Sequence, residues 1–441
     1  MKSHAHYRKL PRSVAKALAA ATIASLALAG CTSGGTPTEG GDRTLTVWDF
    51  QYSSEAWGEA LKQLDQNFEQ ANPGVTIEHV GQPFGEYDAL LKGAFTSQTG
   101  PDVIMALPAA EGILSYTSSL VPLNDRITDE QRNTLSGWEP VSKDFDPTLE
   151  TYGIPFGNQG IVFYYNKQLF AQAGLDPEAP PTTYDELVAA AVALKAAGIT
   201  PFGGGNVEGY TNDWWFTILA PSIITAAQTF ELANNDLKFT DDLVKVVEDR
   251  YVDLYNAGYF GSDYLSLPLF TDGVASFAAG NEAIFLGLPS SDASYVQFNA
   301  GLGEENVGVF QAPGEVAGEK ANFLPYSAQV AWSITEFSTQ SDLAYDYISY
   351  LTGAEGAQLQ FDVGGVLPNN SQVVIGDSVP AQVKQILADQ ANAKQLSFPP
   401  HGLWAPQVSA DHQKQLNLVL SGQISVEDAL AALQATQDRS N

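Results

Sequence analysis

Three short apolar segments alternate with two amphipathic ones near the start of the chain. TLTVW (44–48) alternates polar and apolar residues, and VTIEHV (75–80) predicts a second strand. DVIMAL (102–107) is a continuous apolar run, suited to a strand that is buried on both faces. Apolar residues at helical spacing predict helices across 57–71 and near 86–97. This β-α-β-α-β order predicts an α/β fold with a parallel sheet covered by helices.

The rest of the chain continues the same alternation of strands and helices. Two capping boxes, Thr183–Glu186 and Ser425–Asp428, each predict the start of a helix. Further strands are predicted at 152–156, 161–165, 283–288 and 329–334, and further helices at 211–228, 240–256 and 270–279.

The charge balance limits the possible partners. The 441 residues include 21 Lys and Arg against 51 Asp and Glu, which gives a net charge of −30. A protein needs a basic surface to bind nucleic acid or an anionic lipid surface, so neither is expected as a partner. After an amino-terminal signal, about four hundred residues remain, enough for two domains that each bury a core.

The amino-terminal segment predicts export. A basic head is followed by an uncharged Ala- and Leu-rich run, and residues 1–30 are therefore predicted to be a signal peptide. The run ends at Leu28-Ala29-Gly30-Cys31, which resembles the lipobox of bacterial lipoproteins. That resemblance implies a lipid on Cys31, a flexible tether over 31–43, and anchoring to the outer face of the cell membrane by the lipid alone. The alternative is an ordinary buried Cys behind a plain signal peptide.

Motifs for catalysis are absent from the sequence. It contains no G-x-S-x-G, H-E-x-x-H, phosphate-binding or calcium-binding loop. Only His79, His401 and His412 lie beyond the signal, too few and too scattered to predict a metal site or a catalytic triad. A binding protein without cofactor or metal is therefore expected. Paired carboxylates for glycoside hydrolysis stay open as an alternative, because 51 acids offer many pairs.

Several segments together resemble one family. They include GPDVIMALPAAEGILSYTSSLVPL, YGIPFGNQGIVFYYNKQLFAQAGL and FTDGVASFAAGNEAIFLG, and the match runs in order over residues 44–441. The chain resembles the maltose-binding-like solute-binding lipoproteins of carbohydrate ABC importers. The resemblance implies a two-lobed periplasmic-binding-protein fold of type II, in which each lobe is a sheet flanked by helices and the ligand cleft lies between the lobes.

The resemblance also implies domain boundaries and a mechanism. The first lobe would comprise 44–153 and 307–353, and the second 154–306 and 354–441. A monomer would capture a sugar outside the cell, close its lobes around the sugar, and deliver it to the permease subunits of an importer. A non-sugar solute is the first alternative, and a surface lipoprotein glycosidase is the second.

Candidate ligand residues are aromatic or carry amides and carboxylates, because pyranose faces stack on rings and hydroxyls need planar polar groups. They are expected beyond strand ends and at the hinge, as is usual for open α/β sheets. The family places a polar sugar contact at the position of Gln159. The candidates are Trp48, Phe50, Gln51, Asn158, Gln159, Asp213, Trp214, Trp215, Tyr326 and Trp404.

Some of these candidates have a purely structural alternative. Trp48 is equally consistent with a core position, and Tyr326 with a residue that caps a strand. Trp214 and Trp215 are adjacent, so at least one is expected to be exposed if the segment is a helix. Two departures from the family pattern, at 287–291 and 106–108, remove aromatic positions and favour a smaller sugar than a maltodextrin.

Overall fold

The computed structural model describes residues 43–289, 295–316 and 318–440. The predicted signal peptide, Cys31 and nearly all of the tether lie outside these residues. The strands are β1 (Arg43–Asp49), β2 (Val75–Gly81), β3 (Val103–Ala106), β4 (Ile154–Gly160), β5 (Val162–Asn166), β6 (Thr200–Gly203), β7 (Glu282–Gly287), β8 (Val307–Phe310), β9 (Leu324–Ile334) and β10 (Leu396–Ser397).

Helices connect and cover these strands. The α-helices are α1 (Ala56–Ala71), α2 (Phe84–Ser97), α3 (Asp129–Thr134), α4 (Lys167–Gln172), α5 (Tyr184–Ala196), α6 (Tyr210–Leu219), α7 (Ala226–Ala233), α8 (Asp242–Asn256), α9 (Val274–Ala278), α10 (Tyr295–Leu302), α11 (Ser341–Thr352), α12 (Ala354–Asp362), α13 (Ala381–Asn392), α14 (Pro406–Leu420) and α15 (Val426–Ser440). Both predicted capping boxes form, at the starts of α5 and α15.

The first sheet has the predicted β-α-β-α-β unit at its centre. Strand β1 pairs in parallel with β2 and β3, and β3 is buried along its whole length. Strand β9 then pairs antiparallel with β3 on one side and with β4 on the other, while β10 adds a short parallel pairing. The predicted strand at 329–334 is thus longer than expected, because its amino-terminal half pairs with β4 and β10 as well.

The second sheet has the order β6-β7-β5-β8. Strands β6 and β7 are parallel, and β5 is antiparallel to both β7 and β8. Helices flank this sheet as they do the first, so the predicted α/β class is confirmed.

Two separate groups of buried apolar side chains form the cores. The first core draws on residues 45–156 and 330–366, and the second on residues 161–326 and 361–433. Strand β9 contributes Tyr326 to the second core and Trp332 to the first. The chain therefore passes between the cores along β9, and along β4 as it leads into β5.

The predicted domain boundaries at 307 and 353 do not coincide with the divide between these cores. Strand β8 pairs with β5 in the second sheet, and Val307 and Phe310 belong to the second core. Helix α12, beyond residue 353, is tied to α1 by a hydrogen bond from Trp57 Nε1 to Gln360 Oε1 (2.9 Å). Nothing in the sequence near these residues indicates which core they join, because their pairing partners lie far apart along the chain.

Two predicted helices also differ from expectation. The helix expected at 211–228 is broken after Leu219 by a single turn that contains Pro221, which lacks an N–H for a helical hydrogen bond. Thr225 then caps a new helix. The segment expected as a helix from residue 270 opens with a π-helical turn over Leu269–Gly273.

Candidate functional site

The floor of the candidate site is where β4 and β9 run between the two cores. Gln159 and Ser327 lie directly opposite each other in this antiparallel pair. They are the only residues of the two strands that are not buried. Because every neighbour along both strands is enclosed, this pair marks the place where the strands meet solvent between the cores.

Gln329 lies on the same face of the strands, two residues beyond Ser327. It is 8% exposed, and its Oε1 atom accepts no hydrogen bond. The Oε1 atom of Gln159 is also buried without a donor. A buried carbonyl without a partner costs about 1–3 kcal/mol, so two at one place indicate a site built to receive donors.

Gly157 makes room for the Gln329 amide. Its φ of +67° is in the left-handed region, where a glycine is favoured. A Cβ atom at this position would lie 3.0 Å from Gln329 Oε1 and 2.9 Å from Val366 Cγ1. The absence of a side chain at 157 therefore allows the amide to lie over the strand.

Asn158 points to the opposite face from Gln159, since adjacent side chains of a strand alternate. Its Nδ2 atom donates to Gln390 Oε1 over 2.8 Å, and its backbone N–H donates to Leu367 O over 2.7 Å. The structure therefore does not bring the two predicted amides to one face, and Asn158 ties β4 to α13.

The loop after β1 is held by Asp49. Its Oδ1 atom accepts hydrogen bonds from the backbone N–H groups of Gln51 (2.8 Å) and Tyr52 (2.6 Å). Trp48 is half-buried against the first core, and Gln51 is half-buried in the loop. Phe50 makes edge contacts with Phe84 and Tyr87, with ring centroids 5.2 and 5.4 Å apart.

His79 has a role in this region that the sequence did not predict. Its Nε2 atom lies 2.7 Å from Asp49 Oδ2, and its Nδ1 atom lies 3.0 Å from Asp65 Oδ2. Burial alone would lower the pKa of His79, but the hydrogen bonds to the two carboxylates outweigh burial and raise it to about 9. The cluster is a charged anchor for the β1 loop, because Asp49 also holds that loop. No spacing in the sequence signalled it.

Besides Trp214, four predicted ligand residues are buried in or against the second core. Trp215 is 1% exposed and stacks on Tyr251, with ring centroids 5.2 Å apart. Trp404 is fully buried between Phe216 and Phe239. The remaining two, Asp213 and Tyr326, are described with their partners below.

Asp213 serves a buried ion pair rather than an open cleft. Its Oδ1 atom lies 2.5 Å from His412 Nδ1, and Glu248 Oε1 lies 2.7 Å from the other ring nitrogen. Burial would lower the pKa of His412, but the charge of Glu248 and the hydrogen bond to Asp213 raise it to about 10. Tyr326 is likewise buried, and its hydroxyl donates to Gln311 Oε1 over 3.1 Å. Their burial cannot be read from residue type alone, and it argues against a direct contact with a ligand.

The expectation that one of the two adjacent tryptophans is exposed is also wrong. Every residue of α6 after Tyr210 is buried, so the helix is enclosed on all sides. Trp214 is 7% exposed because Tyr210 and Phe270 cover it, with ring centroids 5.6 and 5.9 Å away. Phe270 is 46% exposed, so this aromatic cluster reaches the surface through Phe270, a residue that was not among the candidates.

A third, small apolar cluster joins distant segments of the chain at a place away from β4 and β9. Ala109, in the loop after β3, packs with Phe398 and Leu403 in a small apolar cluster. Phe145 and Phe230 join this cluster, with ring centroids 5.3 Å apart. These contacts bring the carboxyl end of β3 against the segment that precedes α14.

A cavity of about 760 Å³ lies at another junction of the two cores. Residues 54–57, at the start of α1, form one side, and residues 295–297 with 378–380 form the other. Its volume is in the range of known small-molecule sites. Among the described residues that line it, none is Lys or Arg, while Glu55 and Asp362 are acidic.

Comparison with known proteins gives the family. The family model described as bacterial extracellular solute-binding protein matches residues 63–386. The chain is an extracellular solute-binding protein. The predicted family is thereby confirmed, and membership places the protein outside the cytoplasm.

The relatives of this solute-binding protein differ in their named ligands. The sn-glycerol-3-phosphate-binding periplasmic protein UgpB of Yersinia pestis is 28% identical over 281 residues, which span 59% of this chain and 60% of the relative. A chitin oligosaccharide binding protein superposes with a TM-score of 0.74 at 24% identity, covering 90% of this chain and 99% of the other. The cyclic α-maltosyl-1,6-maltose binding protein of Arthrobacter globiformis gives 0.72 at 21%, with 90% and 99% covered. These structures establish the periplasmic-binding fold for the chain.

The crossing strands carry neutral amides, and the cavity carries acids and aromatic edges. Within the described ranges, no three His, Cys, Asp or Glu residues are arranged to hold a metal ion. The helices in the same ranges include none that is long and apolar enough to span a bilayer.

Proposed function

We propose that this protein captures a neutral carbohydrate outside the cell membrane and delivers it to the permease of an ABC importer. The observation that carries the proposal is the Gln159–Ser327 pair, the one solvent-facing place on two strands that otherwise run buried between two cores. Ligand contacts at such a place touch both halves of the molecule, so binding couples to their relative position. Solved proteins of the same fold are named for oligosaccharide ligands, which supports the sugar class.

The two cores are proposed to be the two lobes. Each has its own sheet, and β9 and the β4–β5 passage form the connections. The divide is proposed near 156–161 and 327–330, rather than at the predicted residue 307. Closure of the lobes over the ligand would then bend the chain at Gly157 and its neighbours, since a few residues at element ends absorb such motions.

A neutral ligand is favoured over a phosphate. Neither β4 nor β9 carries a Lys or Arg, and the cavity at the other junction is lined by no Lys or Arg among its described residues and carries two acids. Phosphate recognition normally uses Arg, Lys or helix amino-terminal N–H groups. The lack of such cationic groups argues against sn-glycerol 3-phosphate, the ligand for which the UgpB relatives are named, as the ligand of this chain.

Anchoring through Cys31 is proposed from the sequence pattern, because that residue lies outside the described part of the chain. The matched variants are Cys31→Ala, which removes the lipid acceptor, and Ser33→Ala, which leaves it. Cell fractionation should place the parent and Ser33→Ala with membranes and release Cys31→Ala. Retention of Cys31→Ala on membranes would rule out the lipid anchor.

Thermal unfolding of the purified protein with a panel of ligands tests the function. The panel comprises monosaccharides, oligosaccharides, glycerol and sn-glycerol 3-phosphate. A ligand present at one hundred times its Kd stabilises the folded state by about 2.7 kcal/mol, which raises Tm by a few degrees. A shift by a sugar supports the proposal, and a shift by sn-glycerol 3-phosphate alone overturns the neutral class. Overnight incubation with the bound sugar adds a check, since a glycosidase would cleave it.

A further inference from the structure

The Gln329 carbonyl has no role in holding the free protein together. The side chain is nine-tenths buried, its carbonyl oxygen accepts no hydrogen bond, and Gly157 beneath it provides the space that it occupies. An apolar side chain of the same length would fill that space without leaving a buried acceptor unsatisfied. A glutamine here therefore needs a reason other than packing.

The position of Gln329 supplies that reason. Gln159, opposite Ser327, and Gln329, two residues further along β9, lie on the same face of the strands. Diagonal neighbours of this kind are within reach of long side chains. Both carbonyl oxygens are buried and lack donors, at the edge of the only opening along these two strands. A molecule that enters that opening can therefore supply the missing donors.

We propose that Gln329 determines ligand specificity by forming, with Gln159, a pair of acceptors for two hydroxyl groups of the bound molecule. This inference rests on the proposed function and narrows it. Two buried carbonyl oxygens on one face favour hydroxyl donors and repel anions, because neither β4 nor β9 carries a Lys or Arg to offset them. The ligand is therefore a polyhydroxylated neutral molecule that offers neighbouring hydroxyls to the floor of the site.

The test uses Gln329→Met, which keeps the length and removes the acceptor, and Gln329→Glu, which keeps acceptor oxygens. Calorimetric titration with the sugar found for the parent should show a Kd raised about tenfold or more in Gln329→Met. The Kd of Gln329→Glu should stay within a few-fold of the parent. Unfolding of ligand-free Gln329→Met should occur at the parent midpoint or above it, because an unsatisfied acceptor has been removed.

The matched control is Gln382→Met. Gln382 is also buried, but its Nε2 atom donates to Asn299 Oδ1, Glu304 O and Val307 O at 2.8–3.0 Å. Its replacement should lower the unfolding midpoint and leave the Kd unchanged. Gln329 and Gln382 should thus show opposite patterns of stability and affinity.

Three other results for the Gln329 variants would contradict the inference. Parent-like affinity in Gln329→Met overturns the inference and leaves the sugar-binding proposal intact. Loss of folding or of apo stability in Gln329→Met also overturns it, since that result indicates a structural role. Equal loss of affinity in Gln329→Glu overturns the acceptor role. A parent that binds no sugar refutes the proposed function itself, which the titration of the parent reveals before any variant is made.

Discussion

The Nε2 atom of His79 lies 2.7 Å from Oδ2 of Asp49, and neither side chain is exposed to solvent. The pKa of His79 is raised from 6.5 to about 9, because its bonds to Asp49 and Asp65 outweigh burial. The unfolded chain then loses this proton near pH 6.5 while the folded chain keeps it. The contribution to stability is about 3 kcal/mol, fully present below pH 6.5 and lost as pH rises through 9.

We therefore expect the free energy of unfolding to fall between pH 6.5 and 9.5. His412, whose pKa is raised to about 10, contributes in the same direction. Urea unfolding at several pH values checks this, with His79→Gln as the comparison. The variant should show a shallower fall, since one of the two groups is gone. Identical slopes would show that His79 does not titrate as its contacts require.

The two adjacent tryptophans should respond differently to substitution. Trp215 is locked in the second core, so Trp215→Ala should cost about 3–5 kcal/mol of stability. Trp214 lies under the exposed Phe270, and it remains a predicted ligand contact. Trp214→Ala should therefore weaken ligand binding by about 2 kcal/mol, the loss expected of a stacking anchor. Urea unfolding and calorimetric titration of both variants separate the roles, and an unchanged Kd in Trp214→Ala would remove it from the site.

Gly157→Ala should destabilise the protein by two effects. The left-handed φ costs about 1–2 kcal/mol with a side chain, and the new Cβ atom would crowd Gln329 and Val366. Gly174→Ala is the matched control, because Gly174 has a φ of +78° and a Cβ atom added there would meet no atom within 4 Å. The difference in urea unfolding between the two variants measures the crowding alone. Equal losses would mean that the Gln329 amide moves aside without cost.

Asp213→Asn should lower stability by about 3 kcal/mol, because it breaks a buried pair with His412. Its effect on Kd should be negligible, since Asp213 lies in the core. Glu150→Gln breaks the half-exposed pair with Lys143 and should change stability far less. Chemical denaturation of both variants with and without ligand makes the comparison. A Kd change for Asp213→Asn larger than its stability loss explains would return it to the ligand site.

The first sheet was predictable because its signals are local. Strands β1, β2 and β3 are short apolar runs bounded by turns and helices, and Thr183 and Ser425 cap helices through contacts three residues away. Where the outcome depends on distant partners, the sequence carries no local signal. The pairing of β8 with β5 joins segments more than 140 residues apart, and nothing near residue 307 specifies it.

The candidate site depends even more on contacts between distant segments, which the sequence does not reveal. Residue type drew attention to Trp215 and Trp404, but their burial depends on Tyr251, Phe216 and Phe239, which come from other elements. Nothing in the sequence marked Gln329 as a ligand residue, because a single glutamine in an apolar strand is common and does not by itself indicate a binding site. Its role emerges only from the burial of its carbonyl and from the missing side chain at Gly157.

The path of β9 has a consequence for how the chain acquires its structure during synthesis. The first core needs residues up to about 366, and the second needs residues up to 433, so neither can be completed by an amino-terminal fragment. Until β9 arrives, β3 presents an open edge that can pair with another chain. Nascent chains shorter than about 334 residues should therefore stay unfolded or aggregate, because the edge of β3 has no partner until β9 has been synthesised.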